Sequence, residues 1–174
     1  MTSTQPPSDL DQQLDRLLET WSPDLIGTLL FVVDAGQVLL IHKKRGHGAG
    51  LINGPGGKLE SGETPLQCAI RETFEETGVT AIDPEHKGTF KFVDLVQRQW
   101  LGYIFVAHGA TGTAVETAEG SPLWVKLDEL PLTRMWPDDR FWLPRVLAGE
   151  QLQGEFLFDD GRLLTHRLRT VELS

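Results

Sequence analysis

The sequence is poor in cysteine. Cys68 is the sole thiol in 174 residues, so no internal disulfide can form, and no Cys/His cluster offers a structural zinc site. Long apolar runs are also missing, since none approaches the roughly 18 residues needed to cross a bilayer. Residues Met1 to Asp9 are polar and hold two prolines, without the basic segment and apolar run of a secretory signal. Positive charge is scarce as well. There are 16 Lys and Arg against 25 Asp and Glu, a net charge of -9, whereas a protein living on nucleic-acid backbone carries the opposite excess. A disulfide scaffold, a spanning helix and a broad nucleic-acid or membrane surface are thereby excluded. The expectation is a cytoplasmic protein, monomeric or weakly dimeric. A small polyanionic substrate stays open, provided that a metal ion or a local basic patch intervenes.

What is present is an ordinary globular composition, 40% hydrophobic and 24% charged, in a chain long enough for one buried core and short for two. After a polar lead over Met1 to Pro7, Ser8 opens an amphipathic stretch. Leu10, Leu14, Leu17, Leu18 and Trp21 recur in it at helical spacing, and Asp11 can complete a capping box. Residues 1–23 are read as an extension carrying this helix, packed on the domain or on a second subunit. Residues 24–174 are read as one α+β domain. Leu25–Val33 and Gln37–His42 form a hairpin pattern around Asp34-Ala-Gly36. Further strands are expected at Thr89–Val96, Leu101–Ala107, Pro122–Leu127, Glu155–Phe158 and Leu163–Val171, the last two joined at Asp159-Asp-Gly161. Helices are expected over Pro65–Thr77 and from near Pro137 toward Leu147, with Pro144 bending or limiting the second.

The chemistry concentrates in the first of those two helices. Thr64, Pro65 and Gln67 supply its start and Gly78 its left-handed end. At about 100° per residue, Leu66, Ala69, Ile70, Thr73, Phe74 and Thr77 share one side, read as the core face. Glu72, Glu75 and Glu76 share an arc of roughly 100° on the other. These like charges at i,i+3 and i,i+4 cost about 0.2–0.5 kcal/mol per pair, and Arg71 relieves only part of the repulsion. Carboxylates without thiols or paired histidines make a hard, all-oxygen set suited to Mg2+ or Mn2+. A solvated acidic face would account for the helix alone. The glycine-rich bend upstream, Gly54, Gly56 and Gly57, tips the balance, because acids beside a backbone that can approach phosphate closely suit metal-bridged phosphoryl chemistry.

These residues resemble a known family. Gly57-x5-Glu63-x7-Arg71-Glu-Thr-Phe-Glu-Glu-Thr-Gly-Val79 looks like a complete Nudix box, with Thr73 where the family usually has an aliphatic residue. Outside the box, Val38 to Gly50, Asn53-Gly-Pro-Gly-Gly-Lys58 and Met135-Trp-Pro-Asp-Asp139 are similar to the animal-type oxidised-purine nucleoside triphosphate diphosphatases. The likeness runs from about Thr28 to the C-terminus. It implies a Nudix fold over 24–174, a mixed central sheet between helices. It also implies Mg2+ (Mn2+ possible) and hydrolysis of substrates such as 8-oxo-dGTP and 2-hydroxy-dATP to the monophosphate and pyrophosphate.

The resemblance also implies roles. Gly56, Glu72, Glu75, Glu76 and Glu119 would be metal ligands. Catalysis would fall to Glu72, Glu76, Glu119 and Arg71, with Glu72 or Glu119 handling the water and Arg71 holding the carboxylates. Lys43, Lys58 and Gly57 would lie near the phosphates. Asn53, Trp136, Asp138 and Asp139, with Thr28, would recognise the base. Two neighbouring carboxyls that cannot both ionise cheaply share a proton and so present donor and acceptor together. On grammar alone Pro137-Asp-Asp139 reads as a helix start; the resemblance reverses that. His47 stands where the related enzymes carry an aromatic pocket residue, and a phosphate contact is open to Arg45, but the plainer reading of both is as surface-loop residues outside the site, with Trp100, Trp124 and Trp142 as core or edge. A Nudix enzyme for another nucleotide diphosphate, or a non-catalytic nucleotide sensor, are the competing readings.

Overall fold

The computed structural model describes residues 7–172. Of the expected polar lead, all but Pro7 lies outside the described residues. Helix α1 (Asp9–Leu18) starts on the expected box: Asp11 N–H donates to Ser8 Oγ and Ser8 N–H to the Asp11 carboxylate, both at 3.2 Å. It ends before Trp21, whose indole N–H instead donates to Gln99 Oε1 at 2.9 Å. Strands β1 (Leu25–Asp34) and β2 (Gln37–Lys43) form the hairpin. Ala35 at φ 48° and Gly36 at φ 75° turn it in the left-handed sense that matches strand twist.

The glycine-rich segment, read as a loop, contains two short strands, β3 (Ile52–Asn53) against β2 and β4 (Gly56–Lys58) against β1. There follow α2 (Pro65–Thr77), β5 (Thr80–Ala81), β6 (Glu85–Asp94), β7 (Trp100–Ala107), β8 (Ala110–Thr111) and β9 (Gly120–Lys126). A single 3-10 turn at Leu132–Arg134, α3 (Asp139–Leu147), β10 (Leu152–Asp159) and β11 (Arg162–Thr170) complete the chain. β6 stops short of Val96 because Asp94 Oδ1 accepts the N–H groups of Val96 and Gln97, each at 2.8 Å, and turns the chain. Pro144 lies within α3 without ending it.

The main sheet runs β11-β10-β6-β7-β1-β2-β3, with β4 added to β1 and β9 to β2; β5 pairs with β8 separately. The β1–β7 and β6–β10 pairs are parallel and the other pairs antiparallel, which makes the sheet mixed. Side-chain alternation sorts the helices. Leu29, Phe31 and Val33 of β1 join Trp142, Leu143 and Val146 of α3 in one core. Leu30 and Val32 face the opposite way, to Ala69 of α2. On the α2 side of the sheet, Leu14 of α1 is buried against Val93 and Leu157, while Thr165 and Arg167 of β11 donate to Asp11 and Asp15 at 2.8 and 2.6 Å.

The core face of α2 is rotated from the expected one. Cys68, Ala69, Thr73, Glu76 and Thr77 are buried, while Leu66 and Phe74 are 40% and 56% exposed. Small side chains let the helix lie close on β1 and β4, and this rotation carries Glu76 inward. Thr73 tolerates full burial because its hydroxyl donates to the Ala69 carbonyl at 2.8 Å.

Candidate active site

A cavity of about 910 Å³ opens on the α3 side of the sheet. One group of lining residues comes from α2, β4, the end of β2 and the loops after β2 and before β9: Lys43, Arg45, Gly56, Gly57, Glu72, Glu76 and Glu119. A second comes from β3 and the start of α3: Asn53, Trp136, Asp138 and Asp139.

In the first group, burial decides the electrostatics. Glu76 is only 4% exposed, and its Oε2 has no hydrogen-bond partner. Burial pushes its carboxyl up to about 7; Lys43 opposes the rise, and Glu72 and Glu119 add to it. Glu72 is also raised by burial, against the pull of Arg71. Glu119 goes the other way, held down by Arg45, whose Nε and Nη2 donate to Glu119 Oε1 at 3.1 and 2.5 Å.

Arg71 fixes the acids it sits among. Its Nε and Nη2 grip both oxygens of Glu63 at 2.7 and 3.0 Å, while Nη1 donates to Glu72 Oε1 at 2.9 Å and Glu75 Oε2 at 3.2 Å. The fork holds the Glu63 carboxyl down at about 2.

The upstream glycines serve close packing. None of Gly54, Gly56 and Gly57 has a left-handed φ, so the reason for them is space rather than backbone conformation. A Cβ on Gly54 would come within 2.5 Å of the Phe31 ring, and one on Gly56 within 1.8 Å of the Thr28 carbonyl oxygen. On Gly57 it would meet the Glu72 carboxyl carbon at 2.3 Å. The last contact ties the bend directly to the acid.

In the second group, Asp138 and Asp139 are 3% and 5% exposed. Trp142 Nε1 donates to Asp138 Oδ2 at 2.8 Å, and the Trp136 N–H to Asp139 Oδ2 at 3.2 Å. Burial pushes both carboxyls up, Asp139 further because Asp138 lies beside it. The Asp138 side chain makes no capping bond to α3, so the helix-start reading does not account for it. Asn53 is buried with its Nδ2 unpartnered.

Most expected site residues thus line one cavity; Arg71 lies outside the lining, behind the carboxylates it holds, and three others need qualification. The Thr28 hydroxyl lies 3.4 Å from Cys68 Sγ, turned to the α2 side of the sheet, so no more than the Thr28 backbone borders the cavity. Glu75 pairs with Arg71, is half-exposed and lies outside the lining. Lys58 borders the cavity from an exposed position, its carbonyl accepting from Arg71 Nη2 at 3.3 Å. Arg45, His47, Trp100 and Trp142 also line the cavity, although the sequence reading left them outside the site. The His47 ring stacks on Trp136 and Trp100, centroids 4.9 and 5.2 Å away. Trp100 enters because it pairs with Leu25 in the β1–β7 register and shares that face with Gly102 and Ile104; β7 phasing could have placed it.

Among the described residues, no three His, Cys, Asp or Glu side chains stand together as a ready metal-ligand group. The available chemistry nevertheless suits a hard divalent cation. An unpartnered, buried carboxylate oxygen on Glu76 lies beside Glu72 and Glu119, with no thiol or imidazole ligand among them.

The chain is similar to known proteins. A NUDIX domain family model matches residues 24–146. An oxidized purine nucleoside triphosphate hydrolase from Danio rerio is 41% identical over 148 residues, 83% of this chain and 94% of that protein. The Mus musculus protein of the same name is 40% identical over 149 residues, with the same coverage. A crystal structure of a MutT protein from Bacillus halodurans superposes with a TM-score of 0.73 at 36% identity, covering 83% of this chain and 97% of that one.

Proposed function

This chain belongs to the Nudix family, and from that premise we propose that it hydrolyses oxidised purine nucleoside triphosphates, such as 8-oxo-dGTP and 2-hydroxy-dATP, to the monophosphate and pyrophosphate. One observation carries the reading: a single cavity joins the carboxylates around Glu76 to a buried Asp138/Asp139 pair beside Asn53 and Trp136. The first group suits a polyphosphate and its counter-cation, the second a purine edge. The names of the two vertebrate relatives agree with both.

The base is recognised by a proton that two carboxyls share. Both are raised by burial, so the pair holds a proton at neutral pH and offers one O–H donor beside acceptor oxygens. The unpartnered Asn53 Nδ2 supplies a further donor, and the Trp136 ring a stacking face. An oxidised purine, with its altered edge, can be matched by moving the shared proton between the two acids.

Nudix hydrolases require a divalent cation; here Mg2+, or Mn2+ in its place, would be held by Glu72, Glu76, Glu119 and the Gly56 carbonyl, with Glu75 at the margin. When bound it polarises the phosphoryl oxygens and offsets their charge. The chain's own part is to place and deprotonate the water. Glu72 suits this better than Glu119. Its pKa is raised where that of Glu119 is depressed, and Arg71 holds it by Oε1. Attack of the water oxygen on phosphorus breaks a bridging P–O bond, the water proton passes to Glu72, and the electron pair leaves with the departing phosphate oxygen. Lys43 balances charge at the same place.

The test is a panel of oxidised and ordinary nucleotides with Mg2+, with pyrophosphate and orthophosphate assayed separately. Preferred release of pyrophosphate from 8-oxo-dGTP, lost in Asp139→Asn, is expected. Equal rates on all purine triphosphates would overturn the base-recognition half of the reading, and no turnover on any nucleotide would overturn the whole.

A further inference from the structure

Arg45 bears a charge that the reaction above does not use, and it is bonded to a carboxylate that the site needs. Both Nε and Nη2 donate to one oxygen, Glu119 Oε1, leaving Oε2 outside the pair. The two side chains are 63% and 39% exposed, and an ion pair so placed yields readily to a stronger partner. The main chain around it is fixed. Lys44 N–H donates to the Glu119 carbonyl at 2.9 Å, and Lys43 faces Gly120 in the β2–β9 ladder. Lys44 Nζ pairs with Glu116 and donates to the Thr117 carbonyl at 3.1 Å. The Arg45 side chain can therefore change partner without either segment moving. It borders the cavity with Lys43, and a guanidinium fork fits phosphate oxygens better than an ammonium does.

We propose that Arg45 is a substrate-binding residue that exchanges partners. It holds Glu119 until a divalent cation takes that carboxylate, and the released guanidinium then binds the triphosphate. This rests on Glu119 being a cation ligand, as read above. Arg45 and the cation compete for one carboxylate, so loss of Arg45 strengthens cation binding while it weakens nucleotide binding. A purely structural residue would not move the two in opposite directions.

The experiment measures Mn2+ binding to the full chain without nucleotide, from the paramagnetic resonance signal of the free ion. Wild type, Arg45→Gln, Glu119→Gln and the double variant are compared, with thermal melting to confirm folding. Arg45→Gln is expected to bind Mn2+ about fivefold more tightly, and Glu119→Gln more weakly. Adding Arg45→Gln to Glu119→Gln should bring no tightening. With the triphosphate, Arg45→Gln should raise KM more than it lowers kcat, and Arg45→Lys should recover part of the loss. Unchanged Mn2+ affinity in Arg45→Gln, or equal tightening in the Glu119→Gln background, overturns the exchange. Wild-type Mn2+ affinity in Glu119→Gln would instead remove Glu119 as a ligand, and the exchange with it.

Discussion

Trp142 donates its indole N–H to Asp138 Oδ2 at 2.8 Å, with both residues almost wholly buried. The bond favours the ionised form of an acid that burial would otherwise neutralise. Trp142→Phe keeps an aromatic ring in the core but removes the donor. The expected result is a loss of about 1–3 kcal/mol at pH 7, the cost of an unsatisfied buried acceptor. The loss should shrink at pH 5, where a protonated Asp138 no longer buries charge. Urea denaturation at the two pH values reads it; an equal loss at both would mean that packing alone is at stake.

Glu76 gives a second pH signature. Its folded-state pKa, about 7, lies above its ordinary 4.5, so the folded chain holds this proton more tightly than the unfolded one. The stability it contributes is full below about 4.5 and is lost as pH climbs through about 7. Glu76→Gln abolishes the titration. Relative to wild type it should gain on the order of 1–3 kcal/mol at pH 8 and little at pH 5, at the expense of turnover. Taking the difference between variant and wild type cancels His47, His86 and His166, whose lowered pKa values act in the opposite direction. A difference that does not vary with pH would show that Glu76 is ionised throughout.

The adjacent glycines separate folding from chemistry. An added methyl at Gly56 collides with backbone, the Thr28 carbonyl oxygen, which cannot give way without parting β4 from β1. At Gly57 it collides with the Glu72 carboxylate, the end of a movable side chain. Gly56→Ala should therefore lower the melting temperature sharply or prevent folding. Gly57→Ala should fold near normally yet lose kcat by at least about tenfold, as expected of a misplaced reacting group. Similar melting losses in both would refute the division.

Local grammar carried far along this chain because its signals are short-range. The Ser8 and Thr64 capping boxes, the Ala35-Gly36 and Asp160-Gly161 turns and the Gly78 cap all recur in the structure. The errors are long-range. Helical periodicity put Leu66 and Phe74 inside, but the helix packs on its smallest side chains, and no pattern within α2 reveals which arc the sheet will take. The acids of the box were legible as a group, whereas their burial was not, so the raised pKa of Glu76 had no counterpart in the sequence. His47 and Trp100 sit far apart in the chain and meet because the loop after β2 folds over the start of β7. Thr28 was placed on the right strand, yet its hydroxyl turns toward Cys68, a consequence of strand phase.

Arg71 tests whether orientation or charge matters more. Its fork engages both oxygens of Glu63, and its third nitrogen reaches Glu72 and Glu75. Arg71→Lys retains the positive charge but cannot bridge three carboxylates, because an ammonium is a point donor on a flexible stem. If the arginine serves to aim Glu72, kcat should fall by about tenfold to a hundredfold with KM nearly unchanged, the pattern of an interaction needed in the transition state. Glu63→Gln weakens the same grip from the other side and should give a smaller fall of the same kind. Should KM rise in Arg71→Lys while kcat holds, the guanidinium would be acting on the substrate's charge, and the aim of Glu72 would have to come from its contact with Gly57.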